Sequence, residues 1–285
     1  MNTMAGFERW EGKLLTGTPW TIYCGASEKT LSYIPAESVS CVVTSPPYYW
    51  LRDYGIDGQI GLEDTVSGYV KAISNVMGAV FNVLEKEGLL FLNIGDTYYS
   101  GKGESQGRDR KSEKRRFGLR AVDKSGGLDI GIQKKSLIGI PWRVANEMTS
   151  RGWILRSSII WHRANCLPES VKDRPSRSYE FVFMFAKSRK YYFNKTPLIE
   201  QEVEEDMWTI PARPKSASNG LDTAPFPDLL VRRCLEIGCR PGGIVLDPFL
   251  GSGTTARVAL AMGHPAIGIE LKSEFCQYAM ASFGV

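Results

Sequence analysis

The chain is poor in the residues that build zinc centres and disulfide frameworks. It has only two histidines, and its six cysteines (Cys24, Cys41, Cys166, Cys234, Cys239 and Cys276) are scattered without a C-x-x-C pair. That spacing excludes a structural zinc site and a disulfide-stapled scaffold, so the cysteines read as buried thiols in a reducing compartment and no resident metal is expected. Long apolar runs are missing too. Nowhere do eighteen apolar residues follow one another, and Glu8 and Arg9 stand where a secretory leader needs an unbroken apolar core. The expected location is cytoplasmic, with no membrane partner.

What is present is ordinary globular material. A composition of 43% apolar and 23% charged residues over 285 positions can bury the core of one large α/β domain. The net charge of +4 is unevenly spread: residues 102–135 hold eleven Lys or Arg against five Asp or Glu, so a Gly- and Ser-punctuated segment is basic and the remainder is slightly acidic.

Six apolar runs read as strands: Ser40 to Val43, Gly88 to Asn93, Leu155 to Trp161, Tyr179 to Phe185, Gly243 to Leu246 and Ala266 to Ile269. Between the first two, Val66, Tyr69, Val70, Ile73, Val76, Met77, Val80, Phe81 and Leu84 recur at three- and four-residue intervals, which predicts a helix with a broad apolar face turned to the core. A shorter helix is predicted over 228–237, opening after Pro227 and stopping at Gly238. Strands alternating with helices imply an α/β fold with a doubly wound, mostly parallel sheet. Residues 101–135 and 195–222 break the rhythm and read as loops laid on that scaffold.

Two stretches carry chemistry. In the first, Ile244 to Asp247 reads as a strand running into Pro248-Phe249-Leu250-Gly251-Ser252-Gly253-Thr254-Thr255 and then a helix. Gly251 and Gly253 allow the backbone to approach a ligand closely, and Asp247 at the strand end can accept hydrogen bonds from a ligand amine. Glu270, twenty-three positions on and at the end of the next strand, can hold both hydroxyls of a ribose. A dinucleotide site would want a third glycine where Ala256 stands, and this difference favours S-adenosyl-L-methionine (AdoMet), in which a sulfonium and an amino acid replace the pyrophosphate. In the second stretch, Thr44-Ser45-Pro46-Pro47-Tyr48 follows an apolar strand directly. Two prolines fix φ and offer no N–H, so this stiff loop presents carbonyls and the Ser45 hydroxyl as hydrogen-bond acceptors.

With these motifs the sequence resembles the amino-methyltransferases of DNA, which modify adenine N6 or cytosine N4. The tetrapeptide Ser45 to Tyr48 and the loop Asp247 to Gly253 carry the likeness. Trp161 to Asn165, Pro168 to Ser170, Asp173 to Pro175, Tyr179-Glu180 and Ala224 to Pro227 extend it over nearly the whole chain. Because the catalytic loop precedes the AdoMet loop, the order is that of the circularly permuted β-type subgroup. The resemblance implies a Rossmann-like AdoMet-dependent methyltransferase sheet with loop insertions for DNA recognition. It would form one domain over 1–285, with a catalytic half at about 20–194 and an AdoMet-binding half at about 223–285. The implied AdoMet contacts are Thr44, Phe226, Asp247, Pro248, Phe249, Gly251, Ser252, Gly253, Thr254 and Glu270. Ser45 and the Pro46 carbonyl would accept from the target amine, with Pro47 stiffening the loop and Tyr48 stacking on a base flipped out of duplex DNA. Such chemistry needs no covalent intermediate, and the Pro-Cys pair of cytosine-C5 enzymes is absent from the chain. Members often show Gly-Asp before the catalytic strand; here Ala26 follows Gly25, so an adenine contact is missing or made by another group.

For double-stranded DNA the basic segment supplies Arg108, Arg110, Lys111, Lys114, Arg115, Arg116 and Arg120 as phosphate contacts. Residues 195–222 form a short target-recognition segment, too small for a separate domain, so base reading would be shared with the basic segment or with a second subunit of a homodimer. No nuclease signature lies in the chain, so it reads either as an orphan enzyme or as the modification half of a two-protein system with a cognate restriction endonuclease as partner, and DNA binding would place the protein at the nucleoid. Trp161 and His162 read as wall residues of the base pocket and His264 as a surface turn residue. Methylation of RNA guanine N2 or protein glutamine is the competing enzymatic reading, but those families have Asn first in the tetrapeptide and the AdoMet loop ahead of it. A silent AdoMet- or DNA-binding module is opposed by intact Ser45, Tyr48, Asp247 and Glu270.

Overall fold

The computed structural model describes residues 2–4, 7–99, 129–166, 169, 171–203, 205–213 and 226–283. The seven basic residues from Arg108 to Arg120 lie outside these, as do positions 214–222 of the expected recognition segment and Ala224-Pro225.

The apolar runs form strands because a sheet covered on both faces buries every side chain, not alternate ones. Val39–Thr44 (β4) has no exposed position, and the last seven residues of Leu84–Ile94 (β5) are all buried. Three strands precede them: Asn2–Met4 (β1), Phe7–Lys13 (β2) and Pro19–Cys24 (β3), followed by the short helix Ser27–Thr30 (α1). After β5 come Ile154–His162 (β6), Tyr179–Ala186 (β7), Met207–Thr209 (β8), Val245–Asp247 (β9) and Ala266–Glu270 (β10). They make one ten-stranded sheet in the order β1-β2-β3-β10-β9-β4-β5-β7-β6-β8. All strands run one way except β2 and β7.

The six expected strands are all present. Four were not anticipated: β1 to β3, and β8 with the helix Thr196–Glu200 (α4), which lie at the sheet margins. The reading of 195–222 as loop is therefore corrected over its described part. β8 has three residues, too few to show a period, and is held by parallel pairing to β6.

Helices cover both faces. On one lie Val66–Val83 (α2) and Ile140–Ser150 (α3); Tyr69, Ile73, Val76, Met77 and Val80 of α2 are fully buried, as the periodicity predicts. Thr65 caps α2 through its hydroxyl, which accepts from the Gly68 N–H at 2.9 Å. On the other face lie Asp228–Gly238 (α5) and Thr254–Ala261 (α6), with Ser273–Ala281 (α7) beside α6. The chain crosses from one face to the other between β4 and β9, and such a switch point opens a crevice at the carboxyl ends of the strands.

Gly238 ends α5 where a Cβ would overlap the Phe91 ring, standing 2.7 Å from its Cζ at the centre of the sheet. Exchanging glycine for alanine in an open helix gains about 1 kcal/mol. Here overpacking reverses the sign, and Gly238→Ala should lower the unfolding free energy by about 1–3 kcal/mol in urea titration. An unchanged or raised midpoint would contradict this packing.

Candidate active site

The crevice is built around one buried carboxylate. Asp247 ends β9, Thr44 ends β4 and Thr255 stands in the first turn of α6. Asp247 Oδ1 accepts from Thr44 Oγ1 at 2.6 Å and from the Phe249 N–H at 3.0 Å, while Oδ2 accepts from Thr255 Oγ1 at 2.7 Å. All three donors are neutral, so nothing in this set balances the charge, and burial pushes the Asp247 carboxyl up to about 6. A cation brought alongside would reverse that shift.

Glu270 ends β10, next to β9 in the sheet. Its Oε2 accepts from the Gly251 N–H at 2.8 Å and its Oε1 from the Lys272 N–H at 2.9 Å, and burial raises its carboxyl above the usual range. Gly251 makes this contact with φ at +53°, a conformation glycine adopts freely. Thr254 is buried with its Oγ1 lacking a hydrogen-bond partner.

A cavity of about 240 Å³ joins the two motifs. Its wall includes Ser45, Pro46, Pro47 and Tyr48 on one side, and Phe226, Asp247, Pro248, Phe249, Gly251, Ser252, Thr254 and Glu270 on the other. Two residues expected against the ligand are not in the wall. Thr44 stands behind Asp247 and orients it, and Gly253 (φ +84°) admits α7, since a Cβ there would lie 2.7 Å from Ala279 Cβ.

The proline loop is anchored from below by Tyr69 of α2, whose hydroxyl donates to the Pro47 carbonyl at 2.8 Å. Tyr48 lies against Gly95, where a Cβ would stand 2.6 Å from Tyr48 Cε2. Its hydroxyl donates to Glu180 Oε2 at 2.5 Å and lies 3.2 Å from Asn93 Oδ1. Ser45 Oγ donates to the Tyr48 oxygen at 3.4 Å. Asn93 Nδ2 donates to Glu180 Oε2 at 3.2 Å, and Arg163 Nη1 to Glu180 Oε1 at 3.0 Å. Burial and then the Glu180 charge push the Tyr48 phenol well above its ordinary range, so it stays protonated.

Sequence reasoning missed this polar group. Arg163 and Glu180 were noticed only as part of a likeness, and the chain separates them from Ser45 by over a hundred positions. Also unanticipated are Arg52, Tyr54, Ile56, Gln59 and Ile60, a loop that crosses the cavity mouth towards Lys272 and Phe275. Its turn-forming Gly55, Gly58 and Gly61, all at positive φ, were the available signal.

Three other expectations need correction. His264 is buried, with Nδ1 3.2 Å from the Gly243 carbonyl oxygen and 3.6 Å from Cys239 Sγ. Trp161 donates through Nε1 to the Ile210 carbonyl, and His162 Nδ1 lies 3.3 Å from Thr209 Oγ1. Both brace β6 against the β8 segment and neither lines the cavity.

The chain is similar in sequence and in fold to known proteins. A family model described as DNA methylase, for N6 and N4 modification, matches residues 39–281. The type II methyltransferase M.SmaI of Serratia marcescens is 40% identical over 266 residues, covering 90% of this chain and 88% of that protein. M.Cfr9I of Citrobacter freundii is also 40% identical, over 91% and 86%. Among solved structures, PvuII DNA methyltransferase, named as cytosine-N4-specific, superposes with a TM-score of 0.69 at 22% identity over 93% of this chain and 86% of its own. A protein of Thermus thermophilus described as a putative DNA modification methylase, in complex with S-adenosyl-L-methionine, gives 0.62 at 24% identity over 92% and 91%.

The raised Asp247 carboxyl has a consequence for stability. A carboxyl whose folded value exceeds its unfolded one favours the fold while protonated; that contribution is full below about pH 4 and is lost as the pH rises through about 6. The ligand-free protein should lose on the order of 3 kcal/mol through this group across that window. Unfolding titrations of wild type and Asp247→Asn at several pH values will isolate it, and parallel pH profiles would refute it.

Proposed function

The chain belongs to the DNA methylase family that modifies exocyclic N6 or N4 amines, and from that premise we propose how its residues divide the work of methylating a flipped base with AdoMet. The observation that carries this reading is the single cavity in which the Ser45-Pro46-Pro47-Tyr48 loop faces Asp247 and Glu270.

The residues present fit AdoMet. Asp247 offers a buried carboxylate held only by neutral donors, which suits the cationic methionine end. The unpartnered Thr254 Oγ1 can meet a carboxylate at the start of α6, and Glu270 keeps accepting capacity for ribose hydroxyls. When bound, AdoMet supplies a methyl group on a sulfonium centre. Ser45 Oγ and the Pro46 carbonyl accept from the two N–H bonds of the target amine, favouring the tetrahedral nitrogen of the transition state. Tyr48 offers its ring to the flipped base, an extrusion required because the amine is inaccessible within the duplex.

The cytosine-N4 specificity in the name of the PvuII enzyme supports cytosine N4 as the target rather than adenine N6. The basic segment around Arg108 to Arg120 is assigned to DNA phosphates on its charge alone. The type II names of the relatives support a partner endonuclease for the same DNA sequence, and the brevity of 195–222 supports base reading shared with a second copy of the chain. Among the described residues no helix is long and apolar enough to cross a membrane; residence at the nucleoid follows from DNA binding.

Mass spectrometry of nucleosides from DNA of a methylation-free host expressing the chain should reveal N4-methylcytosine. N6-methyladenine in its place would overturn the choice of base, and neither product would overturn the reaction. Ser45→Ala should leave AdoMet affinity within twofold by calorimetry and cut turnover by about a hundredfold or more, the scale for losing one preorganised group at a reacting atom. Undiminished turnover would remove Ser45 from the transition state.

A further inference from the structure

Methylation leaves an amine with a proton to lose. The nitrogen lone pair forms the N–C bond as the C–S bond breaks towards sulfur, and the product is an ammonium on the base that must give up one N–H. We propose that this proton is relayed from Ser45 through Tyr48 to Glu180, which is its terminal acceptor. The inference rests on the amine-methylation reading of the site.

The hydrogen bonds run in one direction. Ser45 Oγ donates to the Tyr48 oxygen at 3.4 Å and Tyr48 donates to Glu180 Oε2 at 2.5 Å. As the ammonium proton passes to Ser45 Oγ, the Ser45 proton moves to the Tyr48 oxygen and the Tyr48 proton to Glu180. The two hydroxyls are restored, the amine becomes neutral, and Glu180 changes from carboxylate to carboxylic acid. With 13% of its side chain exposed, Glu180 can then return the proton to water.

Three features suit this route better than a purely structural bond. Tyr48 is held protonated, so it passes a proton on without storing charge. Glu180 has about four accepting sites on its two oxygens, and Tyr48, Asn93 and Arg163 fix its position while leaving it room to take a proton. It also reaches the site from β7, one of the two reversed strands, whose first residues lie at the edge where the parallel strands end. Among the described residues, the titratable groups hydrogen-bonded to Glu180 are Tyr48 from the catalytic loop and Arg163 after β6; Asn93 of β5 is uncharged.

Glu180→Gln separates relay from orientation, because glutamine keeps an acceptor oxygen for Tyr48 but is a far poorer base. The assay is single-turnover methylation of DNA from a methylation-free host, across pH, with AdoMet affinity followed by calorimetry. The relay predicts at least a twentyfold fall in rate for Glu180→Gln, a pH dependence different from that of wild type, and AdoMet affinity within twofold. Tyr48→Phe, which cuts the chain while keeping the ring, should fall equally, and the double variant should lie within twofold of either single one. A Glu180→Gln rate within threefold of wild type with an unchanged pH dependence overturns the relay. Should that variant not fold, a Tyr48→Phe rate within threefold of wild type overturns it as well. Wild-type protein that yields no methylated amine would overturn the amine-methylation reading itself, whereas active wild type with an active Glu180→Gln removes the relay alone.

Discussion

The buried Asp247 carboxylate imposes the constraint from which the site follows. A carboxylate cannot be taken from water into a sheet interior without hydrogen bonds to receive it, and here the donors come from three directions. Thr44 is 203 positions away in the chain and carries the proline loop on its next residue. The same bond that makes the buried charge tolerable also sets the distance between the two motifs. Thr255 fixes the first turn of α6 by the same means, so the glycine turn, the helix start and the proline loop are positioned together.

This arrangement keeps Asp247 poised. Its neutral donors hold the carboxylate in place without balancing it, so part of the folding free energy is held in reserve for a cationic ligand. Behind Tyr48 the charge is handled differently. Glu180 is paired with Arg163, and its remaining contacts fix the phenol of Tyr48 against the bare backbone of Gly95. One acidic group is left incomplete for a ligand, and the other is completed by the protein.

How much of this could be read in the chain depends on distance along it. β4 and β5 were legible because strands covered on both faces are continuous apolar runs, β7, β9 and β10 because each is mostly apolar, and β6, which contains Arg156, Ser157 and Ser158, through its apolar end Ile159-Ile160-Trp161. In β2, Glu8, Arg9, Glu11 and Lys13 are interspersed with apolar residues as on a half-exposed margin, and the pattern was passed over. Ser45 to Tyr48 and Asp247 to Gly253 were legible since each is one contiguous turn whose residues serve one end of a ligand. Asn93, Arg163 and Glu180 were not, because three separate segments deliver one residue each and no short window contains the group. His264 misled because Gly263 before it signals a turn, while the burial of its ring is decided by Cys239 and Gly243 from an earlier loop.

The reversal of β7 has a further result for how such a scaffold can diversify. Since β5 and β6 end at the cavity edge and β7 begins there, the connections after β5 and between β6 and β7 both emerge where a macromolecular substrate would lie. Insertions or deletions in them beyond Gly95 and Arg163 leave every strand pairing in place. Selectivity can therefore drift from one ancestor to many descendants by loop exchange, while the reaction centre underneath is inherited unchanged.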